Sequence, residues 1–411
     1  MIVKNLIFAV LGQGAEKAIS FLVIAVLAHY FSQLEMGQFF LAISITTIVG
    51  SFTEIGTSTH LVRAIASDPD EASSRLSEVL FLRIPLVAIA VSSICFCVFI
   101  VDPDQLLLYT TVAIYVVGQS SYYAFGSVFV GLQRISDRVF TGLIGPAVLL
   151  FAVPLGVWNG MSFRGVLLIY AVSSIMMLAF TAKALSRHIN VRLLIPSRKS
   201  LKKTLSSALP IFALTFLALI HARIDEIMLA IYRDYEEVAI YAAGYKLLEV
   251  SRMAVRPVTM VLLPVLAAAA ASRAWFEFRS SASYLVWGSL AAGAVIAITM
   301  LLLSPWIVPL AFGDSYGKTI TVTQVLFLSA PALFLGHSVI LIANSLNMIK
   351  GAIVILTCSV LGNALLNALV IPIYGAIGAA WTTLITESMA ALGILVVIKV
   401  VLRRKVELSG G

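Results

Sequence analysis

The sequence predicts an all-α polytopic membrane protein with twelve transmembrane helices and no folded soluble domain. Of its 411 residues, 60% are hydrophobic and only 12% are charged, and the mean hydropathy is +1.02. A soluble globular chain carries about 25% charged residues, so a soluble enzyme is excluded. At roughly 20 apolar residues for each spanning helix, the length accommodates about a dozen spans with short connections.

Apolar runs bounded by charged residues, Pro, Gly or Asn mark the predicted spans. In the first half of the chain they are 6–31, 36–57, 79–101, 106–130, 139–157 and 165–185. In the second half they are 208–232, 238–264, 282–306, 319–346, 352–372 and 376–400. The pattern predicts an N-terminal six-helix lobe at 1–185, a basic cytoplasmic linker at 186–207 and a C-terminal six-helix lobe with a short basic tail at 208–411.

The placement of the basic residues predicts the orientation in the membrane. Nineteen of the 28 Lys and Arg residues fall on one side of the predicted bilayer, and only three fall on the other, namely Arg164, Arg233 and Lys318. Cytoplasmic loops carry the positive excess, so both termini are predicted to be cytoplasmic. This topology explains the formal charge of +8, and no nucleic-acid partner is expected.

A shift of 202 residues relates the two halves of the chain. The shift carries five residues of the first half, Leu27, Ala28, Tyr30, Glu35 and Phe39, onto Leu229, Ala230, Tyr232, Glu237 and Tyr241. Because each half has an even number of predicted spans, the lobes are expected to be parallel pseudo-repeats around a central cavity.

Ionisable residues inside the predicted spans are the candidate site residues. A charged side chain near the bilayer centre costs between about 3 and more than 10 kcal/mol, so it normally faces a partner or a water-filled cavity. The basic residues are Lys17, Arg83, Arg223, Lys246, Arg252 and Arg256, and the acidic candidates are Glu16, Glu54, Asp225, Glu249 and Glu387. Glu54 and Arg83 lie close to the cytoplasmic ends of their spans, so they are either interfacial anchors or site residues.

The eighth predicted span carries the densest group of charges. Four residues recur there at three- and four-residue spacing and form one polar stripe, namely Lys246, Glu249, Arg252 and Arg256. One interpretation is an ion-pair ladder that tolerates burial. The other is an anion site, because Arg256 has no acidic partner on its own helix and Arg binds phosphate oxygens with a fixed fork. Pro257, beside Arg256, is predicted to act as a hinge.

No pattern indicates a metal, a cofactor or covalent chemistry. The five His residues lack metal-ligand spacing, and Cys95, Cys97 and Cys358 lie in apolar runs without a C-x-x-C pair. No motif for nucleotide binding or nucleophilic catalysis occurs, so no enzymatic activity is predicted. His221 is either a packed residue or a proton relay near Arg223 and Asp225.

Short segments along nearly the whole chain carry a family resemblance. In the first half they are 27–31 (LAHYF), 35–39 (EMGQF), 54–56 (EIG) and 61–63 (LVR). In the second half they are Ile224-Asp225, 239–243 (AIYAA) with Lys246 and Glu249, 367–375 (NALVIPIYG), 378–380 (GAA) and Glu387. Together these segments resemble the Wzx-type flippases for lipid-linked oligosaccharides, in the polysaccharide transporter family of the multidrug/oligosaccharidyl-lipid/polysaccharide exporter superfamily.

The resemblance implies a two-lobed transporter of the bacterial inner membrane that works by alternating access. Its implied substrate is an undecaprenyl-pyrophosphate-linked oligosaccharide repeat unit, used for O-antigen, capsule or exopolysaccharide synthesis. The implied cationic lumen maps onto Lys17, Arg223, Lys246, Arg252 and Arg256, with Arg83 as a further candidate. Coupling to H⁺ or Na⁺ maps onto Asp225, Glu249 and Glu54, with Glu16 and Glu387 as further candidates. Expected partners are membrane lipids, a polysaccharide polymerase and a chain-length regulator.

Two other functions remain open at the level of sequence. A cation-coupled exporter of small amphipathic molecules shares the fold, but such a site favours acids and aromatics, whereas the stripe of the eighth span is net positive. A membrane polysaccharide polymerase or ligase typically places its catalytic residues in a long periplasmic loop, and the predicted periplasmic connections here are short.

Overall fold

The described part of the chain is helical apart from short turns. The computed structural model describes residues 2–101, 105–190, 195–252, 256–346 and 348–409, and no strand occurs in those residues. In chain order its α-helices are α1 Ile2–Tyr30, α2 Gln33–Glu54, α3 Thr57–Ser67, α4 Ala72–Val101, α5 Leu106–Gly131, α6 Ile135–Trp158, α7 Phe163–Leu185, α8 Arg198–Tyr232, α9 Tyr235–Ser251, α10 Arg256–Ala271, α11 Trp275–Phe312, α12 Gly317–Leu328, α13 Ala330–Ser345 and α14 Ile349–Ser409.

Every predicted span coincides with helix, although not one helix to one span. The predicted span 238–264 covers α9 and part of α10, with 253–255 outside the described residues, and 319–346 is divided between α12 and α13. Among the described residues, seven helices are long and apolar enough to cross a membrane, or up to nine if each of two bent pairs forms one span. The chain is therefore a multi-pass membrane protein, while twelve crossings and cytoplasmic termini stay predictions.

Helix α5 is not among those seven helices, and its composition explains why. It carries the consecutive polar residues Gln119, Ser120 and Ser121 near its centre. It also packs against α2, α3, α4, α6 and α7, so much of its surface faces protein. Polar residues are tolerated in such a position because neighbouring helices satisfy them.

Two compact units make up the chain, Met1–Leu219 and Ile220–Gly411. Helix α5 is central in the first unit, and α1 packs on α6. In the second unit α12 packs against α9, α11 and α14, and α13 packs against α10, α11 and α14. The N-terminal part of α8, which includes the end of the predicted linker 186–207, belongs to the first unit. The boundaries predicted for the lobes, 1–185 and 208–411, are not tested by this division and stay a prediction.

Helix boundaries repeat at the 202-residue spacing seen in the sequence. Helices α1 and α8 end 202 residues apart, and α2 and α9 begin 202 residues apart. The Ser32 side chain accepts a hydrogen bond from the Glu35 backbone N–H, and the Asp234 side chain accepts one from the Glu237 backbone N–H. Such capping satisfies a free N–H at the helix start, so both units contain the same helix–turn–helix joint.

Helix α14 is a hairpin that reverses direction at Gly375. Gly375 has φ 58° and ψ −137°, a conformation that residues with a Cβ rarely adopt. The Ser359 hydroxyl donates to the Thr386 carbonyl oxygen at 3.2 Å, although the two residues are 27 apart in sequence. A continuous helix of that length would separate them by about 40 Å. The segments before and after Gly375 are therefore antiparallel.

Two charged residues beside the α8–α9 joint hold this reversal. Arg233 donates from Nε to the Ile371 carbonyl at 3.1 Å and from Nη2 to the Ile373 carbonyl at 2.7 Å. Glu237 Oε2 accepts a hydrogen bond from the Ala376 backbone N–H at 2.7 Å. A cation thus caps the C-terminal carbonyls of one segment and an anion caps the N-terminus of the next, each matched to the helix dipole.

Replacing Gly375 should destabilise this hairpin. A Cβ at Gly375 would lie 2.5 Å from Glu237 Oε2, and the left-handed backbone alone costs about 1–2 kcal/mol for a residue with a Cβ. We expect Gly375→Ala to lower the melting temperature of the purified full-length protein. Gly362→Ala is the matched control in the same hairpin, because its Cβ would meet nothing within 4 Å and Ala favours helix. Equal melting temperatures for the two variants would contradict the hairpin geometry.

Candidate functional site

A buried carboxylate on α8 is the centre of a polar network in the second unit. Asp225 is fully buried. Its Oδ2 accepts a hydrogen bond from the Tyr241 hydroxyl at 2.5 Å and from the Thr383 hydroxyl at 3.0 Å. Its Oδ1 accepts a hydrogen bond from Asn367 Nδ2. These donors come from α9 and from both segments of α14, so the carboxylate ties four chain segments together.

All three donors to Asp225 are neutral. Within the described residues, the ion pairs of this unit involve other acids and leave Asp225 without a Lys, Arg or His partner inside 4.0 Å. Burial of a carboxylate compensated by dipoles alone is costly. The position therefore favours a bound cation or a proton.

An unsatisfied oxygen lies beside this carboxylate. Asn367 Nδ2 also donates to Asn363 Oδ1 at 3.0 Å, and Asn363 Nδ2 donates to the Thr386 hydroxyl at 3.3 Å. Asn367 Oδ1 is buried and makes no hydrogen bond with any described residue. Buried acceptors are nearly always satisfied, and hard cations take carboxylate, amide and hydroxyl oxygens as ligands. Asp225, Asn363, Asn367 and Thr383 supply such a set.

Basic residues of the second unit form ion pairs around Glu249. Lys246 Nζ lies 3.0 Å from Glu249 Oε2, and Arg223 Nη2 lies 3.9 Å from the same oxygen. Arg223 Nη1 also contacts Glu226 Oε1 at 3.1 Å, and Glu226 is almost completely buried. One pair of the ladder predicted along the eighth span, Lys246–Glu249, is present. The structure also shows a contact between Glu249 and Arg223 of α8, which spacing along a single helix does not predict.

Arg252, the residue after α9, is partly buried and lacks a full set of hydrogen-bond partners among the described residues. Its guanidinium carbon lies 5.3 Å from the centre of the Tyr245 ring, a cation–π contact. Its Nε and Nη2 are buried and make no hydrogen bond in the described part of the chain. Two N–H groups of a permanent cation are therefore available to an anion.

The predicted stripe extends beyond the described part of α9. Helix α9 ends at Ser251 and α10 begins at Arg256, and residues 253–255 between them lie outside the described residues, so the alignment of Arg256 with Lys246 and Glu249 stays a prediction. The side chains of Arg256 and Pro257 lie outside the described residues. Their roles as anion ligand and hinge stay predictions.

A second buried acid of this unit is paired with a histidine. His221 Nδ1 lies 3.3 Å from Glu387 Oε1, and His221 Nε2 lies 3.1 Å from the Ser359 hydroxyl. His221 precedes Asp225 by four residues on α8, which is one helical turn. The structure thus brings together four predicted site residues on α8 and α14 and the end of α9, namely Asp225, Glu387, Arg223 and Arg252.

Arg83 is buried and saturated with partners in the first unit. Ile55 and Gly56, with φ of 41° and 65°, separate α2 from α3. Past this break, Arg83 Nε donates to Thr57 Oγ1 at 2.9 Å, and Nη2 donates to the Ser58 hydroxyl at 2.8 Å. Nη1 donates to the Ser120 carbonyl at 2.8 Å and Glu54 Oε1 lies 3.7 Å from Nη2. Arg83 is only 4% exposed, so these contacts serve to join α2, α3, α4 and α5.

Glu16 and Lys17 lie together on α1 of the first unit. Both are partly buried, and both interact with neighbouring residues. Glu16 acts electrostatically on Tyr122 and Tyr123 of α5. A role for Glu16 in ion coupling and for Lys17 in substrate binding stays a prediction.

Sequence reasoning missed the neutral partners of Asp225. These residues carry no charge, so a prediction based on charged residues in spans does not include them. They are Tyr241, Asn363, Asn367 and Thr383. The internal repeat contains a sequence signal for the pair Asp225 and Tyr241. The 202-residue shift places Asp225 on Val23 and Tyr241 on Phe39, both buried apolar residues of the first unit. A charge and a hydroxyl thus replace two core side chains in the second half only.

The fold is similar to that of solved multidrug transporters. An inward-facing transporter of the multidrug resistance MATE family of the MOP superfamily matches with a TM-score of 0.76 and 14% identity over 97% of this chain and 96% of that one. A MOP superfamily transporter from Pyrococcus furiosus, described by a binding pocket of reverse polarity, matches with a TM-score of 0.72 and 15% identity over 98% and 96%. An outward-facing MATE transporter matches with a TM-score of 0.68 and 13% identity over 98% and 96%.

These likenesses define the fold, and a sequence profile defines the family. The chain has the two-lobed, all-helical fold of MOP superfamily transporters. It belongs to the polysaccharide biosynthesis protein family, whose sequence profile matches residues 2–270. No curated relative matches the chain in sequence. Its place in the Wzx branch of the family stays a prediction.

The saturation of Arg83 predicts a structural effect on substitution. Arg83→Met removes three hydrogen bonds, to the hydroxyls of Thr57 and Ser58 and to the Ser120 carbonyl, and a hydrogen bond to a charged group contributes about 1.5–3 kcal/mol. We expect a clear loss of thermal stability in the purified full-length protein. Arg187→Met is the control, because Arg187 is exposed. A melting temperature equal to that of the control would contradict the structural role.

Proposed function

We propose that the protein is a flippase for undecaprenyl-pyrophosphate-linked oligosaccharide repeat units. It moves them from the cytoplasmic to the periplasmic leaflet of the bacterial inner membrane by alternating access, driven by an H⁺ or Na⁺ gradient. The delivered unit serves O-antigen, capsule or exopolysaccharide synthesis, together with a polysaccharide polymerase and a chain-length regulator. The observation that carries the proposal is Arg252, a partly buried cation whose Nε and Nη2 make no hydrogen bond with any described residue, in a chain of the polysaccharide biosynthesis family.

The chemistry around Arg252 supports an anionic substrate group. A guanidinium keeps its charge at any physiological pH and presents N–H pairs that match phosphate oxygens. Arg223 and Lys246 lie in the same unit, where Glu226 and Glu249 already compensate their charge. Arg252 is the described basic residue of this group with unused donors. A pyrophosphate carries several negative charges on adjacent oxygens, and these oxygens would accept hydrogen bonds from the unused donors of Arg252.

The network around Asp225 supports coupling to an ion gradient. Its carboxylate has only neutral donors, and the oxygen of Asn367 beside it has no partner among the described residues. A bound cation compensates this charge while bridging α8, α9 and both segments of α14. Binding that favours one arrangement of those segments shifts the population toward it. The ion thereby contributes free energy to the conformational cycle.

A second candidate is a cation-coupled exporter of small amphipathic molecules. The similarity to MATE multidrug transporters favours it, because those proteins share the fold over nearly the full chain. Fold alone does not determine substrate. Resistance to cationic drugs such as ethidium, measured in a drug-sensitive strain with and without the protein, distinguishes the two. A rise in resistance together with unchanged surface polysaccharide on deletion would favour the exporter.

Substitution of Arg252 should abolish transport. In a strain that lacks its own copy, we expect Arg252→Ala to remove surface polysaccharide and to accumulate the lipid-linked unit on the cytoplasmic leaflet. Arg252→Lys should restore transport only in part, because Lys keeps the charge and loses the fork of N–H groups. Arg187→Ala, at an exposed position, is the control for removal of a cytoplasmic cation. Normal polysaccharide in Arg252→Ala, with the variant present in the membrane, would contradict the anion site.

Substitution of Asp225 should remove the ion dependence. Asp225→Asn keeps the size of the side chain and removes its charge, so a cation loses its anionic ligand. We expect flipping into proteoliposomes to become insensitive to an imposed Na⁺ or H⁺ gradient and to slow to the rate without a gradient. Glu236→Gln, which neutralises an exposed acid of the same unit, should behave as the wild type. A gradient response that survives in Asp225→Asn would refute this assignment.

A further inference from the structure

The His221–Glu387 pair is a second position in this unit, besides Asp225, where positive charge can be bound. We propose that His221 and Glu387 form a proton-binding site distinct from Asp225, and that the proton held there opposes binding of a metal cation at Asp225. The inference rests on the proposed ion coupling at Asp225 and assigns the two ions to different residues. Both partners are poorly exposed, His221 at 7% and Glu387 at 19%.

Both ring nitrogens of His221 are engaged by side chains of the α14 hairpin. Nδ1 lies 3.3 Å from Glu387 Oε1, in the segment after Gly375. Nε2 lies 3.1 Å from the hydroxyl of Ser359, in the segment before it. Because the Glu387 carboxylate can only accept, Nδ1 carries a hydrogen in either protonation state of the ring. The state of the ring is therefore decided at Nε2.

The single hydroxyl hydrogen of Ser359 links this nitrogen to the rest of the network. That hydroxyl donates to the Thr386 carbonyl at 3.2 Å, and a hydroxyl that spends its hydrogen there can only accept from His221. The two contacts fit a ring protonated at both nitrogens when the Ser359 hydrogen points to Thr386, and a neutral ring when it points to Nε2. When Nε2 releases its proton to solvent, the Ser359 hydrogen turns toward Nε2 and leaves the Thr386 carbonyl. One proton leaves, and no bond other than N–H is broken.

Charged and titratable groups from every neighbouring element act on this pair. Glu387 and Asp225 attract a proton to His221, whereas Arg252 after α9 opposes it. His337 of α13 and Arg252 both act on Glu387. His337 Nδ1 contacts the Leu333 carbonyl of its own helix at 2.8 Å, so it differs from His221 in having a backbone partner.

The proton site and the Asp225 site are connected in two ways. His221 and Asp225 face each other across one turn of α8, so an imidazolium supplies part of the charge compensation that a metal cation would provide. A series of contacts on α14 also links them. Ser359 contacts His221 and donates to the Thr386 backbone carbonyl, the Thr386 hydroxyl accepts from Asn363 Nδ2, and Asn367 Nδ2 donates to both Asn363 Oδ1 and Asp225 Oδ1. A proton on His221 and a metal cation at Asp225 repel each other. Each therefore lowers the affinity of this unit for the other.

Proton release on cation binding tests this directly. Full-length protein in detergent, weakly buffered near pH 6.5 with an indicator dye, receives sodium chloride or, as the reference, choline chloride. We expect sodium to release up to about one proton per protein, because the unperturbed pKa of His lies near that pH. His221→Gln should lose the release. His29→Gln is the matched control and should release as the wild type, because His29 is an exposed histidine bonded through Nδ1 to the Ala25 carbonyl at 2.8 Å.

Two further variants complete the test. Glu387→Gln should move the release to lower pH, because the ring loses the carboxylate that stabilises its charge. Asp225→Asn should abolish the release, because sodium loses its ligand. No release from the wild type, or undiminished release from His221→Gln, would overturn the proposal. If His221→Gln fails to fold, release from Glu387→Gln at an unchanged pH would overturn it.

The measurement needs no lipid-linked oligosaccharide, so its failure is separable from failure of the proposed function. A negative result here together with loss of polysaccharide in Arg252→Ala leaves the flippase assignment standing. A positive result together with normal polysaccharide in that variant leaves an ion-coupled transporter whose cargo differs.

Discussion

The burial of the Asp225 carboxylate is the constraint on which the arrangement of the second unit depends. In a medium of low dielectric constant, a charge without counter-charge must be surrounded by well-placed dipoles. Tyr241, Thr383 and Asn367 provide them, and they come from three different chain segments. If any of these segments moves, Asp225 loses a donor at a cost of about 1–3 kcal/mol. The helices around this residue are therefore held by electrostatics as well as by packing.

A separate set of hydrogen bonds holds the other end of the same helices. Arg233 and Glu237, beside the α8–α9 joint, cap the two segments of α14 at Gly375. The joint and the hairpin are therefore coupled at their ends by hydrogen bonds and deeper in the unit by Asp225. Elements coupled at two levels move together more readily than separately. An ion bound at Asp225 would thus act on α8, α9 and α14 as one body.

Local sequence signals predicted the scaffold and the charged members of the site. Hydropathy located helix at every predicted span, and the 202-residue repeat anticipated equal helix boundaries in both units. Asp225 and Glu387 were found because an acid in an apolar run is conspicuous. Asn367 and Thr383 were not, because a neutral polar residue is common in membrane helices. Their importance arises only when the α14 hairpin brings them to Asp225 on α8.

Helical periodicity predicts contacts within one helix but not contacts between helices. The Lys246–Glu249 contact, at three-residue spacing on α9, was predictable from the sequence. The contact of Glu249 with Arg223 joins α9 to α8 and depends on the tertiary fold. The hairpin reversal at Gly375 was anticipated only as a gap between two apolar runs. The contacts of Arg233 and Glu237 that fix it depend on residues more than 130 positions away.

The contrast between Arg83 and Arg252 shows which property separates scaffold from site. Both are arginines in predicted spans, and both were candidate site residues, Arg83 with an interfacial anchor as its alternative. Arg83 uses all three nitrogens on hydroxyls and a carbonyl of its own unit. Arg252 has an aromatic ring for its charge and two N–H groups with no partner in the described chain. Since a buried donor left open costs free energy, Arg252 is a better candidate than Arg83 for a ligand from outside the chain. Unsatisfied hydrogen-bonding capacity among the described residues, rather than charge within an apolar span, therefore distinguishes the two arginines.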